Sequence, residues 1–178
     1  HRGGNQRSME VTLEGVPDDA PESLPAASLP APPDNAVPAD RLGRANARLP
    51  GEEGLNYWRY VPQQYHPDYA YGLLVWLHPA GDPMEAAVLK AWQTHCDRRG
   101  LILIAPKAAD VSGWGAGDAE FVRNAIEETQ RQYRIDPLRI VLHGQAEGGR
   151  LAWETAFQHR DLVRGVMVVG APLREPPP

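Results

Sequence analysis

Apolar and polar positions change their spacing along this chain, and the changes mark its elements. Residues 71–78, Tyr-Gly-Leu-Leu-Val-Trp-Leu-His, are apolar at nearly every position, the pattern of a strand covered on both faces. Residues 101–106, Leu-Ile-Leu-Ile-Ala-Pro, repeat it. So do Ile140, Val141 and Leu142 after a turn at Asp136-Pro137, and residues 163–172 predict a fourth buried strand. Between these runs the period is helical. Asp82, Pro83 and Glu85 make a start signal, with Asp82 as cap and Glu85 three residues on. Val88, Leu89, Trp92 and Cys96 then share one stripe, and Gly100 stops the helix. Phe121, Val122, Ala125, Ile126, Thr129 and Tyr133 predict a second helix opening at Asp118, and Leu151, Ala152, Ala156 and Phe157 a third over residues 148–159. Residues 55–65 alternate aromatic and polar side chains, as an outer strand does.

The order is a strand, three strand–helix units and a last strand. It predicts an α/β fold with a mostly parallel sheet, helices on both faces and right-handed crossovers. In such sheets function gathers at the carboxyl ends of the strands, here residues 78–82, 106–117 and 144–149. Upstream, Met9, Val11 and Leu13 alternate with Glu10, Thr12 and Glu14, which predicts a half-buried strand. Nothing near it offers a partner, because residues 17–54 hold eight of the eighteen prolines and read as an extended linker. The expected organisation is therefore the terminal strand of an upstream domain over 1–16, a Pro-rich linker over 17–54, and an α/β domain over 55–178. The chain opens on His1 and closes on a Pro-rich tail directly after a strand-like run. An excerpt of a longer polypeptide, with the α/β domain truncated at its C-terminus, is expected.

Composition narrows the partners. The 178 residues carry a net charge of -5 with acids and bases interspersed. That argues against nucleic acid, which needs clustered Lys and Arg. No apolar run reaches the ~20 residues of a membrane span. The single cysteine, Cys96, allows no internal disulfide and reads as a buried thiol. Residues 113–117, Gly-Trp-Gly-Ala-Gly, are followed by no Lys-Ser/Thr, so no phosphate-binding loop is expected. Asp82, Asp110 and Asp118 are too loosely spaced for a metal, and helix capping accounts for Asp82 and Asp118. No metal and no cofactor are expected.

The chemistry centres on Gly144-Gln145-Ala146-Glu147-Gly148. The frame is G-x-S-x-G, in which a sharp strand-to-helix turn lifts a serine oxygen above the sheet. Ala146 stands at the serine's position, and a methyl group cannot attack a carbonyl. Gln145 and Glu147 flank it but point elsewhere on such a turn.

The stretch "YWRYVPQQYHPDYAYGLLVWLHPAGD" and the ordered pieces "LILIAP", "SGW", "EFV" and "RQYRIDPLRIVLHGQAEGG" resemble the α/β-hydrolase esterases of the feruloyl-esterase and polyhydroxybutyrate-depolymerase kind. The likeness runs over about residues 55–173. It implies a partial α/β-hydrolase three-layer sandwich with the nucleophile position at Ala146. It also implies an oxyanion hole from the Glu147 N–H and an N–H of the loop His78-Pro79-Ala80-Gly81. Pro79 has no N–H to give, which leaves Ala80 or Gly81. The family's acid and histidine follow the elbow on later loops. Beyond Gly148 the chain has only His159, at the end of the helix behind the elbow. No catalytic residue is therefore expected in this chain. His78, Ala80, Gly81, Trp114 and Glu147 are expected to line a vestigial oxyanion hole and cleft, with Trp114 either lining the pocket or plugging it. His78 is expected to order its loop, His143 to pack at a strand end and His159 to be a solvated cation.

A shorter likeness lies upstream. "RGGNQRSMEVTLEGVP", residues 2–17, is similar to the end of the PDZ domain in trypsin-like proteases of the periplasmic HtrA type. That resemblance implies a modular serine protease with its triad upstream, a periplasmic or secreted location, and the upstream PDZ and protease domains as partners. The leading expectation is a catalytically inactive α/β-hydrolase-like domain that binds a small ester or peptide, or supports a larger protein. The alternative is a carboxylesterase-type serine hydrolase whose nucleophile is replaced at Ala146 and whose acid and histidine lie past residue 178.

Overall fold

A computed structural model describes residues 41–51, 54–110 and 112–173. The elements in chain order are β1 (Gly43–Arg48), β2 (Asn56–Val61), β3 (Tyr71–Leu77), α1 (Glu85–Arg99), β4 (Leu101–Pro106), α2 (Asp118–Gln132), β5 (Ile135–Gln145), α3 (Glu147–Gln158) and β6 (Gly165–Val169). They build one six-stranded sheet in the order β1-β2-β4-β3-β5-β6. β4, β3, β5 and β6 run parallel, while β2 and β1 are antiparallel to their neighbours. Helices cover both faces. Tyr57, Val61, Leu73, Val75, Ile102, Ile104, Ile140 and Leu142 pack beneath α2 and α3, and Trp58, Tyr60, Leu74, Trp76, Leu103 and Ala105 meet Val88 and Cys96 of α1. This is the mostly parallel three-layer α/β sandwich of the α/β-hydrolase fold.

The doubly apolar runs are central because both of their faces are needed. All seven residues of β3 are buried, and it lies between β4 and β5. From β3 the chain passes to β4 on one side. From β5 it passes to β6 on the other. The direction of winding therefore changes between β3 and β5, and the crevice at their carboxyl ends is where a doubly wound sheet leaves room for a ligand.

Several expectations need correction. The α/β domain does not begin near Leu55: β1, inside the expected linker 17–54, pairs along its whole length with β2. Its sequence, Gly-Arg-Ala-Asn-Ala-Arg, is too polar to announce a strand, and its place comes from pairing and from anchors on both flanks. Leu49 is buried, and the Arg41 carbonyl accepts the Tyr133 hydroxyl at 2.9 Å. β2 is consequently not the outer strand. Its one charged side chain, Arg59, is buried with its guanidinium over the Tyr133 ring. The strand at residues 8–16 and the rest of the expected linker before Arg41 lie outside the described residues.

α1 starts at Glu85, not Asp82. Met84 takes a left-handed conformation before it, with φ 53° and no side-chain cap. Asp82 instead bends the loop by accepting the Met84 N–H at 2.8 Å, and Glu85 turns outward to ion pairs with Arg44 and Lys107. At α2, Gly117 holds the cap position, and the Asp118 carboxylate accepts the Gly115 N–H at 2.6 Å. Asp136-Pro137 does not precede β5 but lies inside it, where the register against β3 jumps from Ile135 opposite Tyr71 to Ile140 opposite Leu73. A bulge absorbs the proline, which has no N–H for the ladder. Phe157 is half-buried and stacks on Trp153, while Thr155 is fully buried. β6 is half-exposed, with Met167 and Val169 open to solvent, because among the described residues only β5 lies beside it.

Candidate functional site

β5 delivers the chain to the crevice and α3 leads it away, so one residue must make the turn. That residue is Ala146, with φ 50° and ψ -117°. A side chain held there costs about 1–3 kcal/mol. The surroundings enforce the turn. The Ala146 N–H donates to the Val169 carbonyl at 2.8 Å, and its carbonyl accepts the Arg150 N–H at 3.1 Å. The flanking glycines allow the backbone to close up. A Cβ on Gly144 would strike the backbone of Gly148, one on Gly148 the carbonyls of Leu77 and His78, and one on Gly149 the side chains of Val168 and Ala171. Gly144, Gln145, Ala146, Glu147 and Gly148 thus form a strand-to-helix elbow against the end of β3, with a methyl group at its tip.

The loop after β3 is held from beneath. His78 is buried. Its Nε2 accepts the Ala108 N–H at 3.1 Å, so Nδ1 carries the proton and donates to the Pro79 carbonyl at 2.7 Å. Burial pushes its pKa below 6.5, and the ring stays neutral with both nitrogens committed. It cannot serve as a base for the elbow. Trp114 is a plug. Its indole N–H donates to the His78 carbonyl at 2.7 Å, and its ring lies 4.5 Å from the His78 ring. Gly81 is exposed, at φ 86°. Ala80 directs its N–H at the Glu147 carboxylate, 3.4 Å away.

The cleft beside the elbow has a volume of about 320 Å³ and is lined by Ala146, Glu147, Arg150, Gly170, Ala171 and Pro172. Of the expected lining residues only Glu147 belongs to it. Sequence reasoning missed Arg150 and the segment after β6. Gly170, at the carboxyl end of a parallel strand, was a usable signal, since that edge collects function. Arg150 spans the site: one guanidinium nitrogen reaches Glu154 at 3.1 Å and the other donates to the Trp114 carbonyl at 3.2 Å.

The remaining histidines lie elsewhere. His143 faces Trp76 and Trp92, with Nδ1 3.2 Å from the Met167 carbonyl. His159 caps the far end of α3, about 18 Å along the helix from the elbow at 1.5 Å per residue. It is not solvated as expected: only 14% of its side chain is exposed, and Nε2 sits 3.6 Å from Glu120. The Cys96 thiol is buried in the sheet face under α1 and pushed up to about 12 by burial, which makes it inert. Among the described residues no cluster of His, Cys, Asp or Glu could hold a metal ion, and no helix is long and apolar enough to cross a membrane.

Sheet order and elbow define an α/β-hydrolase fold. No protein-family model matches the chain. It is 28% identical over 104 residues, 56% of its length, to the bifunctional acetylxylan esterase/xylanase XynS20E of Neocallimastix patriciarum. Among solved structures it is similar to the poly(3-hydroxybutyrate) depolymerase LpqC of Bordetella parapertussis, with a TM-score of 0.57 and 16% identity over 71% of the chain. An acetyl xylan esterase from Aspergillus awamori gives a TM-score of 0.54 and 17% identity, again over 71% of the chain. The chain spans 15% of the curated relative and 51% of each of these two structures.

Proposed function

We propose that this chain carries a non-catalytic α/β-hydrolase-like domain, a binding module that keeps the cleft of an esterase without its nucleophile. The observation that carries the reading is the methyl of Ala146 at the tip of the elbow. Among the described residues His78 has both ring nitrogens engaged, and His143 and His159 make their contacts with Met167 and Glu120. A hydrolase stripped of its triad keeps only what its oxyanion hole and binding supply, about 10³ to 10⁴-fold over water, and here the loop is short of one donor at Pro79. The cleft, near the lower end of the size range for small-molecule sites, suits a short uncharged ester. Upstream, the PDZ-like stretch of residues 2–17 supports a place after such a domain in a modular extracytoplasmic serine protease, whose own domains would be the partners.

The test uses the 178-residue chain with p-nitrophenyl acetate and a fluorophosphonate probe. No hydrolysis above buffer and no labelling are expected, for the parent and for Ala146→Ser alike, because a serine without a base stays protonated. Ethyl butyrate should shift the amides of Ala146, Gly170 and Ala171. Labelling or turnover by the parent would sink the reading.

A second reading is favoured by the strain that Ala146 keeps. It is a carboxylesterase-type serine hydrolase with its nucleophile replaced at position 146 and its acid and histidine supplied from residues past 178. Ala146→Ser placed in a longer polypeptide would then gain both labelling and ester hydrolysis.

A further inference from the structure

Three segments at the carboxyl edge of the sheet are joined through His78, Trp114 and Arg150. His78 is buried, with 1% of its surface exposed. Its Nε2 accepts the Ala108 N–H at 3.1 Å, so the segment after β4 hangs on an unprotonated nitrogen. The indole N–H of Trp114, itself buried, donates to the His78 carbonyl at 2.7 Å, and the two rings lie 4.5 Å apart. The Trp114 carbonyl in turn accepts a guanidinium N–H of Arg150 on α3 at 3.2 Å. Each link is one hydrogen bond, and the first depends on the state of His78. A neutral imidazole offers one donor and one acceptor, whereas an imidazolium offers two donors. Nδ1–H already points at the Pro79 carbonyl, 2.7 Å away. A second proton has only Nε2 to take, and there it meets the Ala108 N–H head-on.

We propose that His78 is an acid-operated latch: a proton from solvent on Nε2 expels the Ala108 N–H, and the loop around Trp114 parts from the loop after β3 and from α3. The Trp114 indole then leaves the His78 carbonyl, and the guanidinium of Arg150 keeps only Glu154, 3.1 Å away. Arg150 lines the cleft beside Ala146, so the side of the cleft nearest Trp114 is firm at neutral pH and loose in acid. The opening is local, because His78 lies past the end of β3 and every link in the series sits at the carboxyl edge. The latch acts on the shape of the cleft and holds whether the domain only binds or also hydrolyses.

The groups around the ring pull in both directions. Burial is the largest influence and holds the pKa of His78 below 6.5. The Pro79 carbonyl, Asp82 on the same loop and Asp118 at the start of α2 favour the proton, and Lys107 after β4 opposes it. α3 faces the loop with Glu147, 3.4 Å from the Ala80 N–H, and with Arg150 through Trp114. Asp110, on the Trp114 loop, is turned to the Ser112 N–H at 2.9 Å. The latch is therefore closed at neutral pH and opens as pH falls through the lowered value.

The experiment follows the indole resonances of the five tryptophans and the Ala108 amide in the full ¹⁵N-labelled chain from neutral pH into acid. The Trp114 indole and the Ala108 amide should move in one step that shares its midpoint with the His78 ring and lies below 6.5. The Trp58 indole, buried in the sheet face under α1, should stay where it is. Protection of both moving groups, scaled for the pH dependence of exchange itself, should fall at least about tenfold across the step, the factor that one lost buried hydrogen bond implies. His78→Gln, whose amide still offers an acceptor and a donor but takes no proton, should abolish the step. Survival of the step in His78→Gln overturns the proposal. So does a parent chain with no step at Trp114, with a midpoint apart from that of the His78 ring, or with all five indoles moving together as in global unfolding. These last outcomes need no variant and stand even where His78→Gln does not fold. An esterase assay reports on the proposed function separately.

Discussion

Ala146 and Gly148 sit two residues apart and respond to opposite demands. Ala146 carries a side chain at a positive φ that disfavours one. Gly148 lacks one where the carbonyls of Leu77 and His78 leave no room. Ala146→Gly should therefore stabilise the fold, by about 1 kcal/mol after the entropy of the added glycine is subtracted. Gly148→Ala should destabilise it by ~3 kcal/mol or more, since backbone and not a flexible side chain stands in the way. Thermal unfolding of the two variants checks the pair, and the same sign for both would mean the turn is not held as described. The frame of the elbow was legible because glycine spacing records close backbone approach. That the Glu147 side chain folds back on Ala80 was not, since its partner lies far away in the chain.

At the scale of elements, strand β1 shows how pairing overrides propensity. Its alternation of Ala and Arg carries little apolar signal and follows a proline-rich stretch. Even so it lines up against β2 from Gly43↔Val61 to Arg48↔Asn56. A chain starting at Leu55 would lose those backbone bonds, the buried Leu49 and the acceptor for the Tyr133 hydroxyl. The loss should amount to about 3–5 kcal/mol from apolar burial and hydrogen bonds together. Hydrogen exchange offers a direct view: in the full chain the ladder amides of β1 should be protected, and equal, rapid exchange over residues 41–54 would return that stretch to the linker. β5 makes a related point. A proline inside a strand ordinarily argues for a break, yet the bulge at residues 136–139 lets the ladder resume at Ile140.

For the whole molecule the buried His78 links stability to pH. Its folded pKa lies below 6.5, so the unfolded chain binds the proton more readily. The stabilisation is present in full above about 6.5 and is lost as pH falls from there through the folded value. Denaturant unfolding should show a midpoint that declines over that window. His78→Gln should flatten the decline while lowering stability overall, because the Ala108 N–H and Pro79 carbonyl are then less well matched. An unchanged slope in the variant would assign the decline to other groups.

Local sequence determined what depends on near neighbours and on burial: the doubly apolar strands, the faces of α2 and α3, the elbow glycines and the methyl at position 146. Tertiary structure alone decided the rest. It enrolled β1, left β6 half-exposed among the described residues, started α1 at Glu85, packed Trp114 against His78 and set the lining of the cleft. Periodicity reports only whether a face will be buried. Which distant backbone or side chain buries it is settled only when the strands find their order.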